Sequence, residues 1–376
     1  MRSVAPRPQS EVEVTKRVQA SLPSIQRSLQ DLFEQMQKSD DEQMLQRAAA
    51  ANLVVLVSSA ARLAAYTEVV ATLCRVHPCR LFLFYFDESL SEPRVETIAQ
   101  CHRVAGGSAV CTESIVIGAA RAHIPRLPSV LRANLVASVP TEVVLSGFDV
   151  PQEMLDLVLP IADRVLFSSE TFMRRFSALA QLRERALQMI DLQWVAVSPW
   201  RGLVKALFDL RAGREVLYSL GEVRIRGQHR TGLPLSAVQL LMAGFVADRL
   251  GLHLDEQAEA RGLVVLTHSP HFEKPILVRF EDGGESGDEN PVLQAVEFVS
   301  RDTRSPTQRV SVIRDGPARA LESRIDPGPQ FRSLSPIEGE SVDELIERYF
   351  MVGESITNYP AALAMAMRMA TCLGMP

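Results

Sequence analysis

The sequence is poor in cysteine and has no long apolar run. Its five cysteines are an odd number in 376 residues, which excludes a disulfide scaffold of the kind that holds small secreted proteins together. No apolar stretch approaches the roughly 20 residues that a membrane-spanning helix needs. The N-terminus shows no signal-peptide pattern. The sequence therefore predicts a cytoplasmic protein with reduced thiols.

An excess of positive charge is also absent. The formal net charge is −5, whereas proteins that bind nucleic acid usually carry clustered basic residues. The same balance provides no polybasic segment for an anionic membrane surface. We therefore expect neither nucleic acid nor a membrane among the partners.

The common signatures of nucleotide and ester chemistry are missing as well. The sequence contains no G-x-G-x-x-G after a strand, no G-x-x-x-x-G-K-[ST] and no G-x-S-x-G. Gly106 and Gly107 fit a plain loop better than a phosphate-binding turn. We therefore predict no cofactor, no resident metal and no catalytic residue.

The N-terminal half of the chain alternates apolar strands with amphipathic helices, and this pattern favours an α/β fold with a mostly parallel sheet and flanking helices. Residues 1–38 are predicted to be a leader and an amphipathic helix with Ile25, Leu29 and Leu32 on its apolar face. The α/β domain is predicted to span 39–215. Its strands are expected at 53–57, 81–86, 110–117, 143–145 and 164–167. Its helices are expected near 63–73, 126–136 and 151–161, with a long one from Ser169.

Residues 216–376 are predicted to form a smaller α+β domain. Capping boxes mark helix starts at Ser236 with Gln239 and at Ser341 with Glu344. The predicted strands form an antiparallel meander at 262–267, 275–281, 292–299 and 309–314.

Three segments of this C-terminal domain have a distinctive composition. The acidic, glycine-rich segment 282–291 is predicted to be an exposed loop, and 315–338 an irregular arm. The segment 361–373, rich in alanine and methionine, either closes the core of this domain or docks on a partner.

Clusters that could carry chemistry have plainer interpretations. His268, His271 and Glu273 fit surface or capping residues better than a metal site, which needs three or four converging ligands. The cysteine pairs Cys74 with Cys79 and Cys101 with Cys111 fit buried packing, with a redox switch as the alternative. Ser168 and Ser169 fit the start of a helix, with an anion site as the alternative.

The most distinctive string is Ser198-Pro199-Trp200-Arg201. Serine and proline fit the start of a helix. Arg201 then lies in the first turn, where a cation opposes the helix dipole. We infer that Arg201 has a specific partner, such as a carboxylate, either inside the fold or on another molecule.

Several segments, taken in order over residues 25–280, resemble the glucose-6-phosphate dehydrogenase assembly protein family, known as OpcA. They are an amphipathic helix before Asn52-Leu53-Val54-Val55, His77-Pro78-Cys79-Arg80, Cys101-His102 before Val110-Cys111-Thr112-Glu113, Asp163-Arg164-Val165-Leu166, Asp191-Leu192-Gln193-Trp194 before Pro199-Trp200-Arg201, and Leu240-Leu241-Met242-Ala243-Gly244-Phe245 before Arg249-Leu250-Gly251. One departure lies at 135–147, which lacks the acidic residue and the paired tryptophans of the family's V-P-D-L-P-V region.

The resemblance implies a protein that binds glucose-6-phosphate dehydrogenase, promotes its oligomeric assembly and raises its activity without catalysis of its own. The motif residues that it offers as partner contacts are Trp200, Arg201, Pro199, Arg80 and His77. Redox control through paired C-terminal cysteines is not carried over, because only Cys372 lies in this tail. The alternative is a small-molecule-binding protein, or a sugar-phosphate enzyme or sensor, with Ser168, Ser169 and Arg201 around one pocket.

Overall fold

The structure is a computed structural model of the whole chain. It describes residues 13–39, 45–58, 60, 63, 67, 77–103, 109–145, 150–175, 178–185, 188–254, 264–287, 290–302, 304, 308–326, 332–337, 341–352 and 356–375. Contacts divide the chain into two compact units. The first comprises Met1–Phe167 and Arg183–Met189, and the second comprises Ser168–Leu182 and Ile190–Pro376.

The first unit is built on a mixed sheet whose centre is parallel. In sheet order the strands are Glu13–Ala20, Arg94–Arg103, Ala109–Ala119, Cys79–Phe86, Ala51–Val57, Thr141–Leu145 and Arg164–Phe167, and Leu45–Arg47 pairs with Ala109–Ala119. Met189–Asp191 is a further short strand. The strands from Ala109–Ala119 to Arg164–Phe167 pair in parallel, while Glu13–Ala20 and Arg94–Arg103 are antiparallel. This arrangement confirms the predicted α/β fold with a mostly parallel N-terminal sheet.

The helices of the first unit follow the predicted periodicity where the structure describes them. They are Ile25–Ser39, Leu127–Asn134 and Gln152–Val158, with 3-10 turns at Leu22–Ser24, Arg121–Arg126 and Leu159–Ile161. Ile25, Leu29 and Leu32 are buried, as their spacing predicts. The predicted helix at 63–73 extends beyond the described residues. Glu13–Ala20 corrects the prediction of a leader, because this segment pairs with Arg94–Arg103.

Two cysteines of the first unit form a disulfide, which corrects the prediction of reduced thiols. Cys101 and Cys111 are direct partners on antiparallel strands, with their Cα atoms 4.0 Å apart. The bond is buried with Leu32 and Met36 of the amphipathic helix. Composition favoured free thiols, but pairing of the strands that flank 104–108 brings these two side chains together.

The second unit contains an eight-stranded sheet. Its strands, in sheet order, are His253–Leu254, Val264–Ser269, Phe272–Glu285, Leu220–His229, Leu293–Ser300, Arg309–Asp315, Ala320–Asp326 and Arg332–Pro336. Every pair is antiparallel except Leu220–His229 with Phe272–Glu285, which is parallel. The predicted meander is therefore interrupted by a strand that the sequence pattern missed.

Helices cover one face of this sheet. Ser198–Asp209 and Arg211–Tyr218 pack on its central strands, and the rings of Phe208 and Phe298 meet edge to face with centroids 4.8 Å apart. Ala237–Leu250 packs on Leu220–His229 and in turn contacts Tyr359–Cys372. The remaining helices are Ala178–Arg185, Leu192–Ala196 and Val342–Val352, and Ser169–Arg175 is a 3-10 helix.

The alanine- and methionine-rich helix Tyr359–Cys372 closes the core of the second unit. Ala362, Leu363, Ala366 and Met369 are fully buried. The two helices approach so closely that a Cβ atom on Gly244 would collide with the carbonyl oxygen of Ala362. Of the two roles considered for 361–373, the described contacts show the first.

Three further predictions are corrected in the second unit. The segment 315–338 contains the strands Ala320–Asp326 and Arg332–Pro336 and is not an irregular arm. Residues 282–285 of the predicted loop extend the strand Phe272–Glu285. The predicted long helix from Ser169 begins as a 3-10 helix that ends at Arg175.

The predicted domain boundary at 215 lies inside the second compact unit, because the helices Leu192–Ala196 to Arg211–Tyr218 pack on elements of that unit. Among the described residues, no helix has both the length and the apolar character that crossing a bilayer requires.

Candidate functional site

The predicted motif Ser198-Pro199-Trp200-Arg201 opens the helix Ser198–Asp209. Pro199 lies in the first turn, where an amide hydrogen has no acceptor within the helix. Proline therefore costs the helix no hydrogen bond there. The capping position is Val197 and not the predicted Ser198, and no side chain caps this end. Trp200 is only 3% exposed, so its indole is part of the core.

Arg201 has its partner inside the second unit. Its Nη1 donates to the carbonyl oxygen of Trp194 over 2.7 Å, and its guanidinium carbon lies 3.5 Å from the centroid of the Trp194 ring. Phe245 supplies a second ring at 5.9 Å. Stacking on aromatic faces stabilises a buried guanidinium because the ring quadrupole attracts the cation. Among the described contacts of Arg201 are thus a carbonyl and two aromatic rings of the second unit.

A fully buried carboxylate, Asp191, lies just before this region. One oxygen accepts from the amides of Ser169 and Gln193, each over 3.0 Å, and the other accepts from the Tyr359 hydroxyl over 3.2 Å. Burial raises the pKa of Asp191 to about 6, although these hydrogen bonds act in the opposite direction. The anion considered for the Ser168-Ser169 junction is therefore this internal carboxylate.

Gln193 extends the network. Its amide nitrogen donates to the Ser168 hydroxyl over 2.8 Å and to the side-chain oxygen of Asn290 over 2.9 Å. The side chain is fully buried. It therefore links the start of Leu192–Ala196 to the segment that precedes the strand Leu293–Ser300.

A second buried carboxylate, Glu170, caps the long helix Ala237–Leu250. It accepts from the amide of Ala237 over 2.7 Å, and its other oxygen lies 3.9 Å from Nε of Arg230. The predicted capping box of Ser236 and Gln239 is present beside it. Burial raises the pKa of Glu170 to about 7, against the effects of the Ala237 amide and Arg230.

The network holds helix ends together and resembles a structural core. Buried carboxylates with raised pKa values occur both in active sites and in structural networks. Both oxygens of Asp191 are occupied by internal donors, and Glu170 serves a helix N-terminus, where a carboxylate is stabilised by the dipole. The groups therefore serve the fold of the second unit.

The other two motif candidates belong to the first unit. Arg80 forms an ion pair with the buried carboxylate of Glu113 and donates to the carbonyl oxygen of Asn134 over 2.9 Å. His77 is half-buried, and burial lowers the pKa of its imidazole. The five motif residues are thus divided between units, with Pro199, Trp200 and Arg201 together in the second.

The parallel strands of the first unit have the order of a dinucleotide-binding sheet. Numbered along the chain from Ala51–Val57, the sheet order is third, second, first, fourth and fifth. In that arrangement a glycine-rich turn after the first strand lets the backbone approach a pyrophosphate. Here Val57 is followed by Ser58-Ser59-Ala60-Ala61-Arg62, which contains no glycine. The first unit thus has the strand order of a dinucleotide-binding sheet but lacks the glycine-rich sequence that usually follows its first strand.

The histidine cluster lies at a hairpin. His268 and His271 flank the turn between Val264–Ser269 and Phe272–Glu285 and are exposed. Within the part of the chain that the structure describes, no three His, Cys, Asp or Glu side chains converge as a metal site requires.

Sequence reasoning missed the two buried carboxylates and their partner Tyr359. Asp191 stood in the D-L-x-W string, but the pattern did not show that it is buried. Glu170 lies in the first turn of its own 3-10 helix, but its carboxylate caps the helix Ala237–Leu250. No signal marked Tyr359, because its contact with Asp191 spans 168 residues.

The fold and the network describe an α/β protein of two units whose conspicuous polar groups are buried and structural. Two family models match the chain: the N-terminal domain of the glucose-6-phosphate dehydrogenase subunit over residues 70–184, and its C-terminal domain over 187–349. The chain therefore belongs to the glucose-6-phosphate dehydrogenase assembly family, OpcA, as the sequence motifs predicted. Among curated proteins, none matches this sequence.

Solved structures resemble the chain only distantly. The super-repressor mutant of Gal80p from Saccharomyces cerevisiae is 10% identical with a TM-score of 0.44, over 87% of this chain and 95% of that one. An oxidoreductase from Sinorhizobium meliloti is 11% identical with a TM-score of 0.45, over 87% and 96% of the two chains. A levoglucosan dehydrogenase in complex with NADH is 10% identical with a TM-score of 0.43, over 88% and 97%. Similarity at this level supports no inference about function.

Proposed function

We propose that this protein is a non-catalytic assembly and activation factor that binds glucose-6-phosphate dehydrogenase and favours its active oligomer. It would thereby support the oxidative pentose phosphate pathway in the cytoplasm. The observation that carries the proposal is the match of both family domains, in order, over residues 70–349.

The first unit supports the non-catalytic part of the proposal. Its strand order is the one that positions a dinucleotide at the carboxyl ends of the strands. The turn after its first strand carries serine, alanine and arginine where that chemistry uses glycines.

Activation by binding is a linkage effect. A factor that binds the competent form of the enzyme more tightly than the incompetent form shifts the population toward the competent form. The shift cannot exceed the difference between the two binding free energies. The proposal therefore requires that the factor and the enzyme form a complex in which the enzyme's oligomeric state changes.

The motif residues enter this proposal in different ways. His77 and Arg80 are partly exposed and remain candidates for contact with the enzyme. Trp200 and Arg201 are nearly buried, so we propose that with Pro199 they act by fixing the helix Ser198–Asp209. A Trp200 variant that melts like the wild type and fails to bind the enzyme would instead assign Trp200 to the contact surface.

The test is to mix the purified chain with the dehydrogenase of the same organism and to measure the mass of the species formed. We expect a complex larger than either protein alone and a shift of the enzyme toward its larger oligomer. His77→Ala and Arg80→Ala should weaken it if these residues are contacts. Gly202→Ala serves as a control, because nothing lies within 4 Å of its new Cβ. Unchanged masses on mixing would refute the proposal.

A further inference from the structure

The second unit contains an arginine-lined cavity of about 840 Å³. Its walls come from separate parts of the chain: the end of Leu220–His229, the start of Leu293–Ser300, the turn after Arg309–Asp315 and the first turn of Val342–Val352. Arg226, Arg230, Arg314 and Arg319 line it, and the acidic residue in its lining is Glu344. Cavities of roughly 300–1,000 Å³ are typical of sites for small ligands.

Two of these arginines present unpaired donors. Nε of Arg226 and Nε of Arg230 are buried and have no hydrogen-bond partner among the described residues. Buried polar groups are nearly always hydrogen-bonded, because leaving a donor unpaired costs its desolvation. Arg230 forms an ion pair with Glu170, whose carboxylate oxygen lies 3.9 Å from its Nε, beyond hydrogen-bond distance.

Arg319 adds a separate observation. Its φ is +45°, in the left-handed region where residues other than glycine are uncommon. The turn fixes it there, because its amide donates to the carbonyl of Gly316 over 3.1 Å and its carbonyl accepts from Ile337 over 2.9 Å. Glycine would suit this backbone position better, yet an exposed arginine occupies it and lines the cavity.

The acidic groups near the cavity leave its positive character intact. Glu344 accepts from the Ser341 hydroxyl over 2.8 Å and from the Ser341 amide over 3.1 Å as a capping box. Glu170 is shared with the amide of Ala237. Glu281 pairs in register with Arg226 on the neighbouring strand. The lining itself contains four arginines and one carboxylate, Glu344.

We propose that this cavity binds a small phosphorylated metabolite, a sugar phosphate or a nucleotide, through Arg226, Arg230 and Arg319. Guanidinium groups match phosphate oxygens in pairs, so several arginines from different segments of the chain recognise a phosphate with defined orientation. Asn290 and Gln294 line the same cavity, and internal bonds hold them in place: Asn290 accepts from Gln193 over 2.9 Å, and Gln294 donates to the Gly283 carbonyl over 2.8 Å. The assignment does not depend on the dehydrogenase.

The test is calorimetric titration of the full chain alone, in low salt, with glucose 6-phosphate, NADP⁺, inorganic phosphate and unphosphorylated glucose as probes. We expect saturable binding of one phosphate ester, weaker binding of inorganic phosphate and none of glucose. Arg226→Gln and Arg319→Gly should each weaken binding about tenfold, which is the loss of one charge-assisted hydrogen-bond pair. Comparing the affinities for glucose 6-phosphate and NADP⁺ shows whether the cavity prefers a sugar phosphate or a nucleotide.

Variants with predictable folding keep the test decisive. Arg319→Gly should melt no lower than the wild type, because glycine adopts positive φ without strain. Arg224→Gln is the matched control, since Arg224 lies on the same strand and pairs with Glu222 outside the cavity. The proposal is overturned by no saturable binding of either ester, by equal affinity for inorganic phosphate, by binding only of an acidic peptide such as hexaglutamate, or by equal loss in Arg224→Gln.

Discussion

The two sheets of this protein bury their strands in different ways. In the first unit every residue of Ala51–Val57 is buried, as is nearly every residue of Cys79–Phe86. In the second unit Leu220–His229 alternates between buried and partly exposed residues. A strand covered on both faces needs apolar side chains throughout, whereas a strand covered on one face needs them only at every second position.

The face of the second sheet opposite its helices carries charge. Glu222 pairs with Arg224 and Arg279, Arg309 lies 3.7 Å from Glu297, and Arg324 lies 2.6 Å from Glu322. The arginines of these pairs are 35–44% exposed, so solvent screens the pairs and limits their contribution to stability. The second sheet therefore depends on its helical layer.

The first prediction concerns Trp200 in the helical layer. Trp200→Ala should lower the free energy of unfolding by about 3–5 kcal/mol, because it removes a large buried aromatic ring and leaves a cavity. Thermal and denaturant unfolding measure the loss. Tyr218→Ala is the control, since Tyr218 is 82% exposed in the next helix and should change stability by less than about 0.5 kcal/mol. Similar losses of unfolding free energy in Trp200→Ala and Tyr218→Ala would contradict the claim that the helical layer stabilises the second sheet.

The second prediction concerns the contact between Ala237–Leu250 and Tyr359–Cys372. Gly244→Ala should cost about 3 kcal/mol, the upper end for overpacking, because the new methyl group meets the backbone of Ala362. Gly202→Ala has open space around it and should stabilise its helix by about 0.5–1 kcal/mol. If both substitutions shift the melting temperature in the same direction, the two helices are not packed as described.

The third prediction concerns the first sheet. Replacing Cys101 and Cys111 together by serine should cost about 2–3 kcal/mol, the chain-entropy value for a loop of this length. Cys372→Ser is the control, because Cys372 forms no disulfide. Mass spectrometry after alkylation under non-reducing conditions should leave Cys101 and Cys111 unlabelled. Full labelling of both in the folded chain would show that the disulfide is absent.

The fourth prediction is a pH dependence that arises in the second unit. The pKa of Glu170 is about 7 in the folded chain and ordinarily 4.5, so the folded chain holds this proton more tightly. The stability that this group contributes is therefore present below about pH 4.5 and is lost as the pH rises through 7.

The variant Glu170→Gln should not show this loss. The stability of the wild type relative to Glu170→Gln should fall by roughly 2 kcal/mol between pH 5 and pH 8. Denaturant unfolding of both proteins at several pH values measures the difference. A difference that does not change with pH would show that Glu170 is not buried in an apolar environment.

The same contrast explains what the sequence could predict. Continuous apolar runs identified the central strands of the first sheet almost to the residue, and the capping box at Ser236 marked its helix. The sequence did not predict the strand Leu220–His229, because Glu222, Arg224 and Arg226 interrupt its apolar residues. The strand Glu13–Ala20 was not predicted for the same reason, because Lys16 and Arg17 interrupt its apolar residues.

The candidate site was less predictable because it depends on contacts distant in sequence. The helix Ser198–Asp209 follows from local signals, but the stacking of Arg201 on Trp194 and Phe245 requires the packed fold. The arginines of the cavity lie on and just after the strands Leu220–His229 and Arg309–Asp315. No local pattern joins them, because only the pairing of those strands brings them together.

The initial rate of glucose-6-phosphate dehydrogenase at low glucose 6-phosphate, measured with and without a molar excess of this chain, tests the central claim most directly. The account predicts a higher rate with the chain present and no turnover by the chain alone. An unchanged rate, or turnover by the isolated chain that a point substitution abolishes, would contradict it.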